Sequence, residues 1–174
     1  MSLLARLFQK KPDPREEYHA LWLATIAKAR DPFWYRDGGV ADTREGRFDM
    51  VTAILALVIA RLGKSKDLER GAAYLTEFFV EDMEGQLREE GIGDPTVVKR
   101  IGKMMSALGG RIGAYSLGAE NPSAMEVAVE RNVTMDEDGS VSAVVGGLIK
   151  FHGELAELTD ADLLAGSFAH GALS

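Results

Sequence analysis

Residues 75–111 read LTEFFVEDMEGQLREEGIGDPTVVKRIGKMMSALGGR, and the spacing of their apolar side chains decides the fold. At 100° per residue, Leu75, Phe79, Met83 and Leu87 form one arc, extended upstream by Leu68 and Ala72 with Phe78 on its shoulder. A helix over 67–90 is predicted. Gly91-Ile92-Gly93 stops it, because glycine weakens a helix and enters the left-handed turn freely. Asp94-Pro95 restarts the chain as N-cap and first helical residue. Val97, Ile101, Met104, Met105, Leu108, Ile112 and Tyr115 then line up over 95–118. The hinge is short enough for the two helices to pack antiparallel.

Outward from this hairpin the chain reads as helix almost throughout. Over 14–30, Tyr18, Leu21, Trp22, Thr25, Ile26 and Ala29 share a face, and Asp31-Pro32 ends it because the residue before proline leaves the helical region. After the loop PFWYRDGGVAD, the Thr43 hydroxyl is placed to cap a helix over 43–62. Downstream, Asn121-Pro122 interrupts the chain and Ser123-Ala-Met-Glu126 fits a capping box for a helix over 123–133. A further helix is predicted over 141–157, and Thr159 caps a last short turn. The fold class is therefore all-α, a single-domain bundle of six to seven helices over 14–166. Residues 1–13 read as a flexible or amphipathic segment and 167–174 as a loose tail.

Composition narrows the function. The 174 residues contain no cysteine, which removes disulfides, thiolate metal sites and a cysteine nucleophile. The net charge is −7, and ten of the 27 acidic residues but only two of the 20 basic ones lie in 120–174. No basic stripe dominates, so a nucleic-acid partner is not expected. The longest apolar run, residues 51–60, is about half of the roughly 20 residues a membrane span needs. Leu3, Leu4, Leu7 and Phe8 beside Arg6, Lys10 and Lys11 leave two readings of the N-terminus, a peripheral membrane contact or a frayed end.

Candidate chemistry is sparse. His19, His152 and His170 have no HExxH spacing, and His152, on an apolar helical face, reads as a core histidine. Asp136-Glu137-Asp138-Gly139 lacks the first and twelfth ligands of a calcium loop and reads as a turn. Gly109-Gly110-Arg111 has neither a preceding strand nor a P-loop lysine. No catalytic residue, metal ligand or cofactor site is expected. Gly102, Gly109 and Gly113 suggest a close helix crossing, internal or with a partner.

Two charges break the amphipathic pattern. Asp82 falls between Leu75 and Phe78 on the helical wheel, and Arg111 lies beside Met104. A carboxylate facing inward needs a partner. Asp82 is expected to bond Arg111 or Arg47, the alternative being an aspartate at the solvent edge.

This stretch resembles the ubiquinol–cytochrome c chaperone family. The matching residues are Phe79, Asp82, Met83, Leu87-Arg88-Glu89, Gly91-Ile92-Gly93-Asp94, Val97, Lys99 and Gly110-Arg111. A second block, Asp42-Thr43 and Gly46-Arg47-Phe48-Asp49, followed by Arg61-Leu62, is similar as well; together they cover about residues 30–118. The chain departs at Ala53-Ile54, where relatives often carry histidine, and at Gly109, where they often carry an aromatic residue.

The resemblance implies a non-catalytic assembly factor that binds newly made cytochrome b and promotes biogenesis of respiratory complex III. A small partner protein, as mitochondrial relatives use, stays open, as does a helical scaffold for another membrane-protein client. A bacterial setting is implied, in the cytoplasm or at the inner face of the inner membrane. Methionines suit a reversible apolar groove because they are flexible and polarizable. Met83, Met104 and Met105, with Trp34 and Tyr35 of the aromatic loop, are therefore expected to meet the client, the alternative for the methionines being plain core filling. Arg47, Arg88, Lys99, Lys103 and Arg111 would set its orientation. Asp42, Thr43, Gly46, Phe48 and Asp82 are read as structural, together with Leu87, Gly91, Gly93, Asp94 and Gly110.

Overall fold

Residues 50–59 are buried without interruption. A helix that is apolar all round has to be enclosed on every side, and this one sets the architecture. The computed structural model describes residues 13–169. Among them are six helices of eleven residues or more and two of five. In chain order these are α1 (His19–Ala29), α2 (Pro32–Arg36), α3 (Arg44–Leu62), α4 (Gly71–Glu89), α5 (Asp94–Glu120), α6 (Pro122–Asn132), α7 (Val141–Glu157) and α8 (Asp160–Leu164). Short 3-10 turns at Glu16–Tyr18 and Lys66–Leu68 precede α1 and α4.

Helix α3 is the axis. It packs against α1, α4, α5 and α7, while α6 lies between α5 and α7. The predicted arcs face inward: Leu75, Phe79, Met83 and Leu87 of α4 and Val97, Leu108 and Tyr115 of α5 are all buried. On α7 the buried face is Val144, Gly147, Leu148, Phe151 and Leu155, so His152 is only half-buried on its flank. Partial burial and the nearby Lys64 ammonium lower the His152 pKa.

Half of the caps are those the sequence announces. Thr43 accepts from the Gly46 amide and Thr159 from that of Asp162. Two differ. Asn121, not Ser123, caps α6, its Oδ1 accepting from the Ser123 and Ala124 amides, because Pro122 occupies the first helical position. Gly93 rather than Asp94 precedes α5, and the Asp94 carboxylate instead meets Arg88 at 2.6 Å across the hinge. Gly91 adopts φ 76°, the left-handed turn that ends α4.

Of the two crossings the α5 glycines suggest, internal or with a partner, the internal one is not made among the described residues: a Cβ added at Gly102, Gly109, Gly110 or Gly113 would meet nothing within 4 Å. The close approach is one turn further on, at Gly118, where a Cβ would lie 2.8 Å from the Cα of Met125 on α6. At the other end of the molecule, residues 38–41 pair with 134–140 through the backbone. Ala41 N–H donates to Thr134 O at 2.9 Å and Asp136 N–H to Gly39 O at 2.8 Å, with a single bridge between Val40 and Met135. The acidic turn 136–139 is thus a clamp on the loop leading to α3. Phe168, inside the stretch read as a loose tail, is buried against Phe151 with ring centroids 5.3 Å apart. His170 and the N-terminal Leu3, Leu4, Leu7 and Phe8 lie outside the described residues.

Arg61 locks the far end. Its guanidinium donates to Leu155 O at 3.0 Å and Leu158 O at 2.7 Å, closing the C-terminus of α7. It also pairs with Asp160 of α8 at 3.0 Å. The Ser65 hydroxyl and then Arg61 hold the Asp160 carboxyl below its ordinary pKa. Arg61→Ala is expected to cost roughly 2–3 kcal/mol, because two carbonyls lose their donors. Arg61→Lys should recover little of it, since an ammonium lacks the planar fork. Urea unfolding measures this, and a loss under about 0.5 kcal/mol would contradict the assignment.

Candidate functional site

Two helix faces with identical spacing look at each other across a recess. On α3 the positions are Arg44, Arg47, Phe48 and Val51; on α4 and its C-cap they are Met83, Gln86, Leu87 and Glu90. Both follow the i, i+3, i+4, i+7 pattern that puts side chains on one helical face. Met104 of α5 completes an apolar floor, and the recess has a volume of about 430 Å³.

Two further depressions adjoin it. One shares Arg30, Asp42 and Arg47 with the central recess and adds Pro32, Tyr35 and Arg36. The other shares Arg44, Phe48 and Met104 and adds Arg111, Arg131 and Thr134. Together they form a continuous trough with an apolar floor, its rim carrying arginines along its length with Asp42, Glu45 and Glu90 among them.

The first turn of α3 holds the trough open. Gly46 is pressed onto the preceding loop so closely that a Cβ would sit 2.0 Å from Ala41 O, so only glycine fits there. Arg47 donates to Asp42 at 2.7 Å and holds its carboxyl below the usual pKa. Arg44 reaches Glu90 at 2.8 Å, joining the rims of α3 and α4.

Below the floor lies a buried ion pair. Asp49, 6% exposed, accepts from Arg111 Nη2 at 2.7 Å through Oδ1. Its Oδ2 accepts from the Thr134 amide at 2.9 Å and the Thr134 hydroxyl at 2.7 Å. Arg111 also donates to the Thr52 hydroxyl and lies 5.1 Å over the Phe48 ring. One carboxylate thus joins α3, α5 and the loop after α6. The neighbouring Tyr115 hydroxyl is buried with no hydrogen-bond partner among the described residues, and burial raises its pKa strongly.

The two charges expected to face inward are therefore not partners of each other. Asp82 does not face inward: it is exposed and accepts from the Trp22 indole at 3.2 Å, the solvent-edge alternative in place of the pairing with Arg111 or Arg47. Trp34 is fully buried, its indole donating to Lys28 O at 2.8 Å, so it supports the trough from inside and does not line it. Tyr35 is half-buried at one end, where its hydroxyl donates to Ala29 O at 3.0 Å. Arg47, Met83 and Met104 line the central recess and Arg111 one end, but Arg88, Lys99 and Lys103 are exposed and line none of it. Arg88 instead bridges Glu84 and Asp94.

Sequence reasoning missed Arg30, Arg44, Glu90 and Arg131 at the rim, and Asp49, Thr52 and Thr134 below. The repeated i, i+3, i+4, i+7 spacing on α3 and α4 was the available signal for part of this set. Neither His19 nor His152 lines the trough. Among the described residues no cluster of histidine and carboxylate side chains could hold a metal ion.

Fold and trough define a helical scaffold with an open, arginine-rimmed apolar recess. The chain belongs to the ubiquinol–cytochrome c chaperone family, whose model matches residues 36–170 and so spans both blocks read in the sequence. A similar solved structure is the crystal structure of the Cbp3 homolog from Brucella abortus. It is 29% identical, with a TM-score of 0.72 and 94% of each chain covered. No curated protein sequence matches the chain significantly.

Proposed function

We propose that this protein is a non-catalytic assembly chaperone that holds immature cytochrome b and promotes the biogenesis of respiratory complex III. The observation that carries the reading is the trough in a member of this family. It presents the half-buried Phe48 and Met104 to apolar client side chains, over a floor of Val51, Met83 and Leu87 that are 4–7% exposed, with charge at its rim. Two of the five are methionines, which adapt to different side chains without rebuilding the surface. Loose capture suits a client that must later be released into a complex.

No helix among the described residues is long and apolar enough to cross a membrane. Under this proposal the protein works at the inner face of the bacterial inner membrane, where its client is inserted. The test is deletion in the native host, read by spectra of b- and c-type cytochromes and blotting of complex III subunits. Complex III should fall, with loss of the b-type signal. Normal complex III would refute the role. A different membrane protein co-purifying in place of cytochrome b would make the chain a scaffold for that client.

A further inference from the structure

The charge layout of the trough names the kind of segment it takes. Arg30 and Arg36 stand at one end and Arg131 at the other, all exposed. None of the three has a carboxylate partner among the described residues, and residues 1–12 and 170–174 contain no Asp or Glu that could supply one. Arg44 and Arg47 are paired, but their side chains are 66% and 63% exposed. Exposed pairs of this kind are worth about 1 kcal/mol or less, so a ligand's carboxylates can replace the protein's own. Glu45 also lines the Arg131 end, where Arg44, Arg111 and Arg131 outnumber it and Asp49, and between the two ends lies the apolar floor.

Resting on the chaperone reading above, we infer that the trough selects a client segment in which a short apolar stretch is flanked on both sides by acidic side chains. An elongated occupant fits better than a compact anion, because the three depressions share residues and run together. The chain's own residues 1–12 do not fit, since they carry Arg6, Lys10 and Lys11 and no acid. Like charges opposed across an interface disfavour the wrong partner, so the arginines also reject segments with basic flanks.

The experiment uses the full chain and three fluorescent synthetic peptides. One has a Leu/Phe centre with glutamates at both ends, one the same centre with lysines, and one the glutamates around a serine centre. Fluorescence anisotropy should show the first binding about tenfold tighter than either of the others, and weakening as salt is raised. Arg30→Glu, Arg36→Glu and Arg131→Glu combined should remove the preference for acidic flanks. All three side chains are exposed, and an unchanged melting transition shows that the fold is kept.

Equal binding of the glutamate- and lysine-flanked peptides would overturn the inference, as would an unchanged preference in the triple variant. Equal binding of the serine-centred peptide would also overturn it. If anionic phosphatidylglycerol vesicles bind through the same arginines and exclude the peptide, the trough is a membrane contact and the inference fails. It fails too if the chain self-associates through them. Pull-down of immature cytochrome b from the native host separates the two levels. Capture without any peptide preference removes the charge selection alone, whereas no capture by the wild-type protein removes the chaperone reading.

Discussion

Asp49→Ala is expected to destabilise the protein by about 3–5 kcal/mol, the cost of removing one partner from a buried ion pair. For a chain of this length that lowers Tm by roughly 6–20 °C. The substitution strands the Arg111 guanidinium, whose side chain is 13% exposed, with only the Thr52 hydroxyl and the Phe48 face for company. It also removes the acceptor for two donors of Thr134. Asp49→Asn keeps an acceptor for one side but loses the charge, and should fall between wild type and alanine. Replacing both members, as Asp49→Leu with Arg111→Met, should recover most of the loss, because no buried charge is then left alone. Urea or guanidinium unfolding gives all four values. An alanine variant within about 1 kcal/mol of wild type would show that water reaches the pair freely.

The second large effect has the opposite sign. Gly102, Gly109, Gly110 and Gly113 sit inside α5 with open space where a Cβ would be. Glycine inside a helix costs about 0.5–1 kcal/mol relative to alanine, chiefly through the backbone freedom it gives up on folding. Changing all four to alanine should stabilise the protein by roughly 2–4 kcal/mol. Gly118→Ala is the internal contrast. Its Cβ would meet Met125 at 2.8 Å, and separating α5 from α6 should outweigh the gain in helix propensity. Denaturation curves for the two variants should move in opposite directions. A quadruple variant no more stable than wild type would contradict the open space around these four positions.

Much of the fold was legible because helix signals are local. The arc Leu75, Phe79, Met83 and Leu87 names its own buried face, and the caps at Thr43 and Thr159 need only neighbours a few residues away. The family too was legible, since its matching residues lie in contiguous blocks around Gly46 and Gly91. The site was legible only in part. Arg47, Met83 and Met104 were expected at the client surface and do line the recess. Trp34 was expected there and is buried, because composition marks an aromatic loop but not the direction its ring takes.

The inward charges show the limit most clearly. A helical wheel gives the angle of Arg111 about its own axis and says nothing of which helix lies opposite. Asp49 sits on α3, 62 residues away in sequence, on a helix so apolar that no face of it stands out. The other partner of Asp49, Thr134, comes from a loop 85 residues away. The amino-acid sequence by itself determined the long helices, their order, their stops and the family, since each depends on interactions within a turn or two. It missed α2, Pro32–Arg36, a single turn inside the stretch read as a loop. Only the tertiary structure decided which charges meet, which glycines are crossed and where the trough runs. Those outcomes depend on the placement of whole helices around α3, and burial of a common core sets that placement without reference to any single pair.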